Sequence, residues 1–386
     1  MSTHASLFTR LGLLAAVLAA TLYTWDVTAQ IAPKVAGASS GLGHTSAADL
    51  HYWHMGMAAL AGLVLFIFGV IQLAQALADL NTERMRTIMA KFTKNRLSGV
   101  LTGTVATTLL ESSSVTIIIV IAMVSGGVLS FTQSLGVVLG ANIGTTIGAQ
   151  LIAFQISEYV PLLMLAGLVL LVASKCETRR HLGVVLFGFG LIFYGLEAID
   201  EAMKPLRDFE PFLSTMRKLG DNPWLGALIG CVVTLVIQSS SATVAIVITL
   251  AASGLVSLPA GVAIMLGAEV GTCSDTLIAT IGRGRPALRT GVFHLVFNLV
   301  SALFGILFAQ QLVELVQAIS GQAAVGRQIA NAQITFNLIG TALILPWLPA
   351  VARLLERLLP DAQGIAIPND ETSSPLPTLE SSARRQ

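Results

Sequence analysis

Charged residues are scarce in this chain, and their scarcity decides its class. Asp, Glu, Lys and Arg make up 11% of the 386 residues, whereas apolar side chains make up 54%. Soluble domains usually carry about 25% charged residues, so this composition excludes a water-soluble protein and predicts one that lives in a lipid bilayer. The net charge of +1 gives no overall attraction to nucleic acid, which we do not expect as a partner.

Cysteine is also rare, and its pattern excludes two kinds of stabilising site. Cys176, Cys231 and Cys273 have no paired spacing, and two of them lie in apolar runs. A disulfide framework and a zinc site are therefore not expected. A membrane-embedded serine hydrolase would need a base for its nucleophile, yet His294 has no evident serine partner in the sequence. We expect no enzyme activity and no cofactor.

An internal repeat is the strongest pattern that is present. Residues 95–153 align with residues 222–280 at a constant offset of 127, without a gap, and 20 of the 59 paired positions are identical. Each copy holds a run of three serines and, further on, a glycine-rich element. The serine motifs are Glu111-Ser112-Ser113-Ser114-Val115-Thr116 and Gln238-Ser239-Ser240-Ser241-Ala242-Thr243, and the glycine-rich elements are Gly140-Ala141-Asn142-Ile143-Gly144-Thr145 and Gly267-Ala268-Glu269-Val270-Gly271-Thr272.

Apolar runs between basic loops predict an all-α polytopic membrane protein. The run 54–78 is long enough to cross the hydrocarbon core of ~30 Å, and the basic residues at 84–96 place the next loop in the cytoplasm. The run 98–125 is interrupted by Glu111 and the serines, and its two short arms predict a re-entrant hairpin. The run 131–153 contains the glycine-rich element, which predicts a span with an unwound middle.

The second repeat is predicted to enter the membrane from the opposite side. Spans at about 160–173 and 183–199 lead to an external loop at 200–222. A second hairpin at 224–253 then enters from outside, and a broken span at 259–281 ends in a basic inner loop. We therefore expect two inverted-topology repeats, each with a re-entrant helical hairpin and a broken transmembrane helix.

The two ends of the chain differ from the repeats. The apolar run 11–23 is either the h-region of a secretory signal or, as we favour, an uncleaved anchor. The predicted divisions are an N-terminal apolar segment and exterior loop at 1–52, repeat 1 at 53–175, repeat 2 at 182–311, a terminal transmembrane helix at 331–350, and a disordered cytoplasmic tail at 360–386.

Inverted repeats with discontinuous helices are the sequence sign of a secondary transporter whose site lies near the membrane midplane. A helix that begins within the membrane presents free N–H groups and the positive end of its dipole, which favour an anion. The serines add hydroxyl donors there, and unwound backbone carbonyls suit a hard cation such as sodium. An anion and a cation can then neutralise each other inside the bilayer.

The paired motifs resemble those of the sodium/phosphate cotransporter family, which includes the type II sodium-dependent phosphate cotransporters and their bacterial relatives. Both repeats share the resemblance, and the later elements His294-Leu295-Val296-Phe297-Asn298 and Phe336-Asn337-Leu338-Ile339-Gly340 are similar to the family's His-x-x-Phe-Asn and Phe-Asn-x-x-Gly. The resemblance implies a sodium-coupled symporter of inorganic phosphate in a bacterial inner membrane, as a monomer or a homo-oligomer. The expected substrate ligands are Ser112, Ser113, Ser114, Thr116, Gln238, Ser239, Ser240, Ser241 and Thr243, and the expected sodium ligands are Glu111, Asn142, Thr145, Glu269, Thr272, Asn298 and Asn337.

Two glutamates depart from the family pattern. Glu111 stands where the family usually has Gln and Glu269 where it has Asn, while the usual residues survive at the repeat-equivalent positions, Gln238 and Asn142. A charge at the membrane centre costs about 2.5–3.5 kcal/mol, so both need partners. Three interpretations stay open: an additional cation at each glutamate, a protonated glutamate, or a substrate with a positive group, as in an aminophosphonate. The alternatives to phosphate symport are thus a sodium- or proton-coupled carrier of another oxyanion or a phosphonate and, from another class, the membrane-embedded hydrolase.

Overall fold

The computed structural model describes residues 52–154 and 157–361, and these ranges are helical without a strand. Six helical segments within them are long and apolar enough to cross a membrane. The protein is therefore a multi-pass membrane protein, as the composition predicts. The predicted N-terminal segment up to residue 51, and the tail from residue 362 onward, lie outside the described residues.

The α-helices of the described ranges are numbered in chain order. They are α1 (Tyr52–Phe92), α2 (Arg96–Leu110), α3 (Ser113–Ser125), α4 (Phe131–Ala153), α5 (Val160–Ala173), α6 (Glu177–Met203), α7 (Glu210–Asp221), α8 (Pro223–Ile237), α9 (Ser240–Ala252), α10 (Leu258–Gly271), α11 (Cys273–Ile278), α12 (Arg285–Leu307), α13 (Ala309–Ser320), α14 (Val325–Ile344) and α15 (Leu348–Leu358). Short 3-10 segments lie at Ser157–Tyr159, Lys204–Asp208 and Leu345–Trp347.

The duplication in the sequence extends to the helix boundaries. Helices α8 and α9 have the boundaries of α2 and α3 displaced by 127 residues, and α10 begins 127 residues after α4. The connecting turn is repeated too, because Glu111 has φ 49° and ψ 27° and Gln238 has φ 58° and ψ 28°. They are the non-glycine residues of the described ranges with positive φ. We call α2–α3 hairpin 1 and α8–α9 hairpin 2.

The predicted break in the first long span is wrong. Helix α4 is continuous through Gly140 and Gly144. These glycines permit close helix packing instead, since a Cβ on Gly140 would lie 2.0 Å from the Val100 carbonyl oxygen of α2. The second repeat shows the same contact, where a Cβ on Gly267 would lie 1.8 Å from the Ala227 carbonyl oxygen of α8. A glycine-rich stretch in a membrane helix therefore marks a packing face here, not an unwound segment.

The second long span is interrupted only by a one-residue turn. Helix α10 ends at Gly271 and α11 begins at Cys273, while Thr272 between them keeps right-handed helical dihedral angles, and Leu258–Ile278 together form one segment long enough to cross a membrane. Elsewhere, two segments predicted as loops are largely helical: α1 continues through the basic residues as far as Phe92, and the segment 200–222 contains α7. The predicted span at 160–173 is a helix of 14 residues, about 21 Å long at 1.5 Å per residue, which is less than the hydrocarbon core.

Helix packing brings the two serine motifs to the interface between the halves of the chain. The most extensive contacts join α1 to α6, α2 to α4 and α8 to α10. The second arm of hairpin 1, α3, packs on α12, while the second arm of hairpin 2, α9, packs on α14 and on α4. Each serine motif starts one of these second arms, so each lies beside at least one helix of the other half.

Candidate functional site

Each serine motif opens a helix. Ser112 is the N-cap of α3 and its Oγ accepts a hydrogen bond from Val115 N at 3.2 Å, and Ser239 caps α9 by accepting from Ala242 N at 3.2 Å. The second serine of each motif is buried and the third is half-buried. The first turn of a helix has unpaired N–H groups and a positive dipole end, which together suit an anion. The role of the serine triplets and of the exposed Gln238 in substrate binding stays a prediction.

Thr116 and Thr243 use their hydroxyl groups inside their own hairpins. Thr107 Oγ1 donates to Thr116 Oγ1 at 2.9 Å, and Thr234 Oγ1 donates to Thr243 Oγ1 at 2.8 Å. Thr116 and Thr243 in turn donate to the carbonyl oxygen of the N-cap serine of their helix. All four threonines are buried. Their hydrogen bonds hold the two arms of each hairpin together, so direct contact with substrate would require these bonds to open.

Glu111 shares a small cavity with the serine motif of hairpin 2. The cavity has a volume of about 40 Å³, lies against α1 and α6, and has Glu111 and Ser241 among otherwise apolar or small lining residues. Gly148 of α4 forms part of its wall, and a Cβ there would lie only 2.4 Å from Glu111 Oε2. The Glu111 carboxylate therefore fits beside α4 because residue 148 has no side chain.

Asp275 is related to the serine motif of hairpin 1 as Glu111 is related to that of hairpin 2. It was not among the predicted site residues. Position 275 is the repeat equivalent of Gly148. The side chain of Ser114, the repeat equivalent of Ser241, lies close enough to the Asp275 carboxylate to interact with it electrostatically. The third serine of each hairpin thus lies near a carboxylate of the other half: Ser241 lines the same cavity as Glu111, and Ser114 lies beside Asp275. An inventory of all acids within the apolar repeats would have identified this residue.

A first buried polar centre joins Asn142 of α4 to Asn298 of α12. Asn142 Nδ2 donates to Asn298 Oδ1 at 2.7 Å, and Asn298 Nδ2 lies 3.0 Å from His294 Nε2 and 3.2 Å from Cys273 Sγ. His294 Nδ1 lies 2.8 Å from Thr276 Oγ1. All five side chains are buried. The hydrogen-bond network assigns the amide orientations, which make His294 Nε2 an acceptor and place the ring proton on Nδ1.

A second buried polar centre contains Glu269 and Asn337. Glu269 Oε1 accepts hydrogen bonds from Gln333 Nε2 at 2.8 Å and from Asn337 Nδ2 at 3.4 Å. All three residues are at most 2% exposed. Gln333 of α14 was not among the predicted site residues, because only the fold shows that it faces α10.

Hydrogen bonds join four of the predicted sodium ligands into two pairs, while Glu111 lies apart from them in the cavity with Ser241. Asn142 pairs with Asn298 and Glu269 with Asn337, as described above. Thr145 donates its hydroxyl within α4, to the Ala141 carbonyl oxygen at 3.0 Å. Thr272 is buried at the turn between α10 and α11. The sodium roles of these residues stay predictions.

A profile of the Na+/Pi-cotransporter family matches residues 65–201 and 208–343. The chain belongs to the Na+/Pi-cotransporter family. Each matched segment contains one serine motif and one glycine-rich element, so the two matches correspond to the two copies seen in the sequence. Membership of a cotransporter family confirms the resemblance and the expectation of a transporter that is not an enzyme.

Individual relatives align with this member of the Na+/Pi-cotransporter family over different lengths. It is 28% identical to the uncharacterized protein YqeW of Bacillus subtilis over 298 residues, which are 77% of this chain and 96% of YqeW. It is 26% identical to the putative inorganic phosphate export protein YjbB of Escherichia coli over 302 residues, 78% of this chain and 55% of YjbB, so it spans about half the length of that relative.

A shorter match links the chain to a mammalian protein. The sodium-dependent phosphate transport protein 2B of Homo sapiens is 36% identical over 88 residues, which are 21% of this chain and 13% of that protein. No solved structure matches the chain significantly.

Proposed function

We propose that this chain is a sodium-coupled secondary transporter that moves inorganic phosphate and sodium together across a bacterial inner membrane. The observation that carries the proposal is the placement of the two serine-capped helix starts, each near a carboxylate of the other half. Helix N-termini and hydroxyls suit a phosphate oxyanion, and carboxylate oxygens suit sodium. The name of the Na+/Pi-cotransporter family and the names of the relatives YjbB and protein 2B, which refer to phosphate, support the same substrates.

The carboxylates give a physical reason for obligatory coupling. Phosphate at the serine-capped helix ends would be repelled by Glu111 and Asp275 while these carry uncompensated negative charge, and this repulsion is strong where water is excluded. A sodium ion beside each carboxylate removes the repulsion. Sodium must therefore bind before or with phosphate, and phosphate does not bind without sodium. The direction of net flux is a separate measurement, because the YjbB relatives are named for phosphate export.

The proposed transport cycle uses inverted repeats with re-entrant hairpins. The hairpin arms contain 15 and 13 residues in both copies. At 1.5 Å per residue they are about 20–22 Å long, too short to cross the hydrocarbon core singly. The shared turn geometry at Glu111 and Gln238 supports two equivalent hairpins, and the basic loops found in the sequence support their entry from opposite sides. In this topology the C-terminus lies in the cytoplasm.

Alanine variants of the third serines test the proposal. Ser114→Ala and Ser241→Ala remove a hydroxyl next to a carboxylate without adding bulk, so each is expected to lower the rate of sodium-dependent phosphate transport at least tenfold. Ser174→Ala, in the connection between α5 and α6, is the matched control and is expected to keep the wild-type rate. Wild-type rates in both test variants would remove the serine motifs from the substrate path.

A second candidate is a carrier of an aminophosphonate. The observation that favours it is the shared cavity of Glu111 and Ser241, since a carboxylate beside the serine motif can receive the ammonium group of a zwitterionic substrate. Competition distinguishes the two substrates. Excess aminoethylphosphonate should leave phosphate transport unchanged if phosphate is the substrate, and should block it if the cavity accepts a zwitterion.

A further inference from the structure

The two buried polar centres occupy equivalent positions in the fold. On α12, His294, Phe297 and Asn298 form the pattern that Gln333, Phe336 and Asn337 form 39 residues later on α14. The facing residues on the long helices, Asn142 and Glu269, are equivalent under the 127-residue repeat. Each centre therefore contains one residue from a glycine-rich element and two residues, four apart, from a later helix.

In the first centre every side chain takes part in the hydrogen-bond network. Asn298 contacts Asn142, His294 and Cys273, and His294 also contacts Thr276 through its second ring nitrogen. No nitrogen or oxygen of these side chains is among the buried unpaired atoms of the described ranges. A hydrogen-bonded cluster of this kind stabilises the packing of α4, α11 and α12.

In the second centre one side-chain oxygen, Gln333 Oε1, is unpaired within the described ranges. Gln333 donates through Nε2 to Glu269, but its Oε1 is buried and has no hydrogen-bond partner in the described ranges. The two polar atoms of an amide lie about 2.2 Å apart, so Gln333 Oε1 is within about 5 Å of Glu269 Oε1. Gln333 is 0% exposed, and a buried polar atom without a partner costs free energy. The centre therefore holds an unused neutral oxygen close to a buried carboxylate.

The Glu269 carboxylate of this centre also has no cationic side chain as a partner in the described ranges. No lysine or arginine in the ranges 52–154 and 157–361 forms an ion pair with Glu269. Carboxylate and amide oxygens are ligands for hard cations, not for soft metals. The described residues contain no group of three or more His, Cys, Asp or Glu that could hold a transition metal. One carboxylate with neutral oxygens matches a monovalent cation.

We propose that Gln333 is a sodium ligand together with Glu269. A glutamine at position 333, in place of the histidine found at the equivalent position 294, leaves Glu269 available to the ion. A histidine at 333, as at the equivalent position 294, would bring a fixed imidazole to the carboxylate and remove the amide oxygen. Glutamine leaves Glu269 without a permanent cationic partner. The repeated centres have thus diverged, the one with His294 into a structural contact and the one with Gln333 into an ion site. The choice of sodium as the ion rests on the proposed function.

The reciprocal exchange of the two residues tests this assignment in the purified full-length chain. Thermal unfolding is followed in detergent without phosphate, with NaCl titrated against choline chloride at constant ionic strength. A ligand that binds only the folded state raises Tm with its concentration, so the wild-type chain should be stabilised by sodium. Gln333→His should require at least tenfold more sodium for the same shift, or show none. His294→Gln, the matched control, should keep the wild-type sodium midpoint even if its Tm is lower in both salts.

Gln333→Met protects the test against a variant that does not fold. Methionine keeps the length and removes both polar atoms, and it should weaken the sodium response as Gln333→His does. A wild-type sodium midpoint in either folded Gln333 variant overturns the proposal, and so does a wild-type chain that sodium does not stabilise. The readout is independent of phosphate: a sodium shift that depends on Gln333 in a chain that transports no phosphate keeps the ion site and rejects the proposed substrate.

Discussion

A single methyl group at position 148 should slow transport without unfolding the protein. In Gly148→Ala the new Cβ would lie 2.4 Å from Glu111 Oε2, whereas ordinary contact begins at 3.4 Å, so the carboxylate must retreat by about 1 Å. A misplacement of about 1 Å at a functional group can cost on the order of 100-fold in rate, and we expect at least a tenfold loss. The stability should change little, because the displaced atom ends a flexible side chain and alanine favours a helix over glycine by about 1 kcal/mol.

The assay is the initial rate of phosphate transport in proteoliposomes, with Tm of the purified protein as the measure of stability. Gly56→Ala is the matched control, because a Cβ there meets no heavy atom within 4 Å. In a Glu111→Ala background the clash is gone, so adding Gly148→Ala should have no further effect. The reasoning is refuted by a wild-type rate in Gly148→Ala, or by an equal loss with and without the Glu111 side chain.

Three further variants test the packing and charge of the site. Gly267→Ala places a Cβ 1.8 Å from the Ala227 carbonyl oxygen, so α8 and α10 must separate; we expect about 1–3 kcal/mol of destabilisation, seen as a lower Tm, and an unchanged Tm contradicts this contact. Asp275→Asn keeps an acceptor for Ser114 but removes a charge, so the charge moved per phosphate, measured from transport currents, should change; the same ratio would remove Asp275 from coupling. Asn298→Ala leaves buried partners unpaired and should cost about 1–3 kcal/mol of stability, which thermal unfolding measures; a wild-type Tm would contradict it.

The parts of the structure that follow from local sequence were predictable. A helix restart at Ser112 and at Ser239 follows from serine as an N-cap residue after an interrupted apolar run, and both caps are present at the predicted offset. The duplicated turn at Glu111 and Gln238 follows from the same alignment. The serine motifs were therefore identified correctly as helix starts before the fold was known.

Glycine gave an ambiguous signal because it serves two purposes in membrane helices. It permits an unwound backbone, and it permits close approach of two helices. At Gly140 the second purpose applies and α4 stays continuous, whereas in the second repeat a one-residue turn at Thr272 follows Gly271. The dipeptide Gly271-Thr272 has the same sequence as its repeat equivalent Gly144-Thr145, which lies inside the continuous α4, so sequence alone does not distinguish them.

The contacts between distant segments were not predictable. Ser114 meets Asp275 and Glu269 meets Gln333 only because helices of different halves pack together. Neither pair has a sequence spacing that marks it. The two residues that the sequence did not indicate, Asp275 and Gln333, both belong to such contacts. Their partners, Ser114 and Glu269, lie in the repeated motifs and were among the predicted ligands.

Phosphate transport into proteoliposomes under an imposed sodium gradient tests the central claim most directly. Purified chain is reconstituted, and radiolabelled phosphate accumulation is followed with inward sodium, inward choline and sodium at equal concentration on both sides. The account predicts saturable accumulation above equilibrium with the sodium gradient alone, and matching sodium movement in the same direction. Phosphate movement that ignores the sodium gradient, or sodium moving against phosphate, would contradict it.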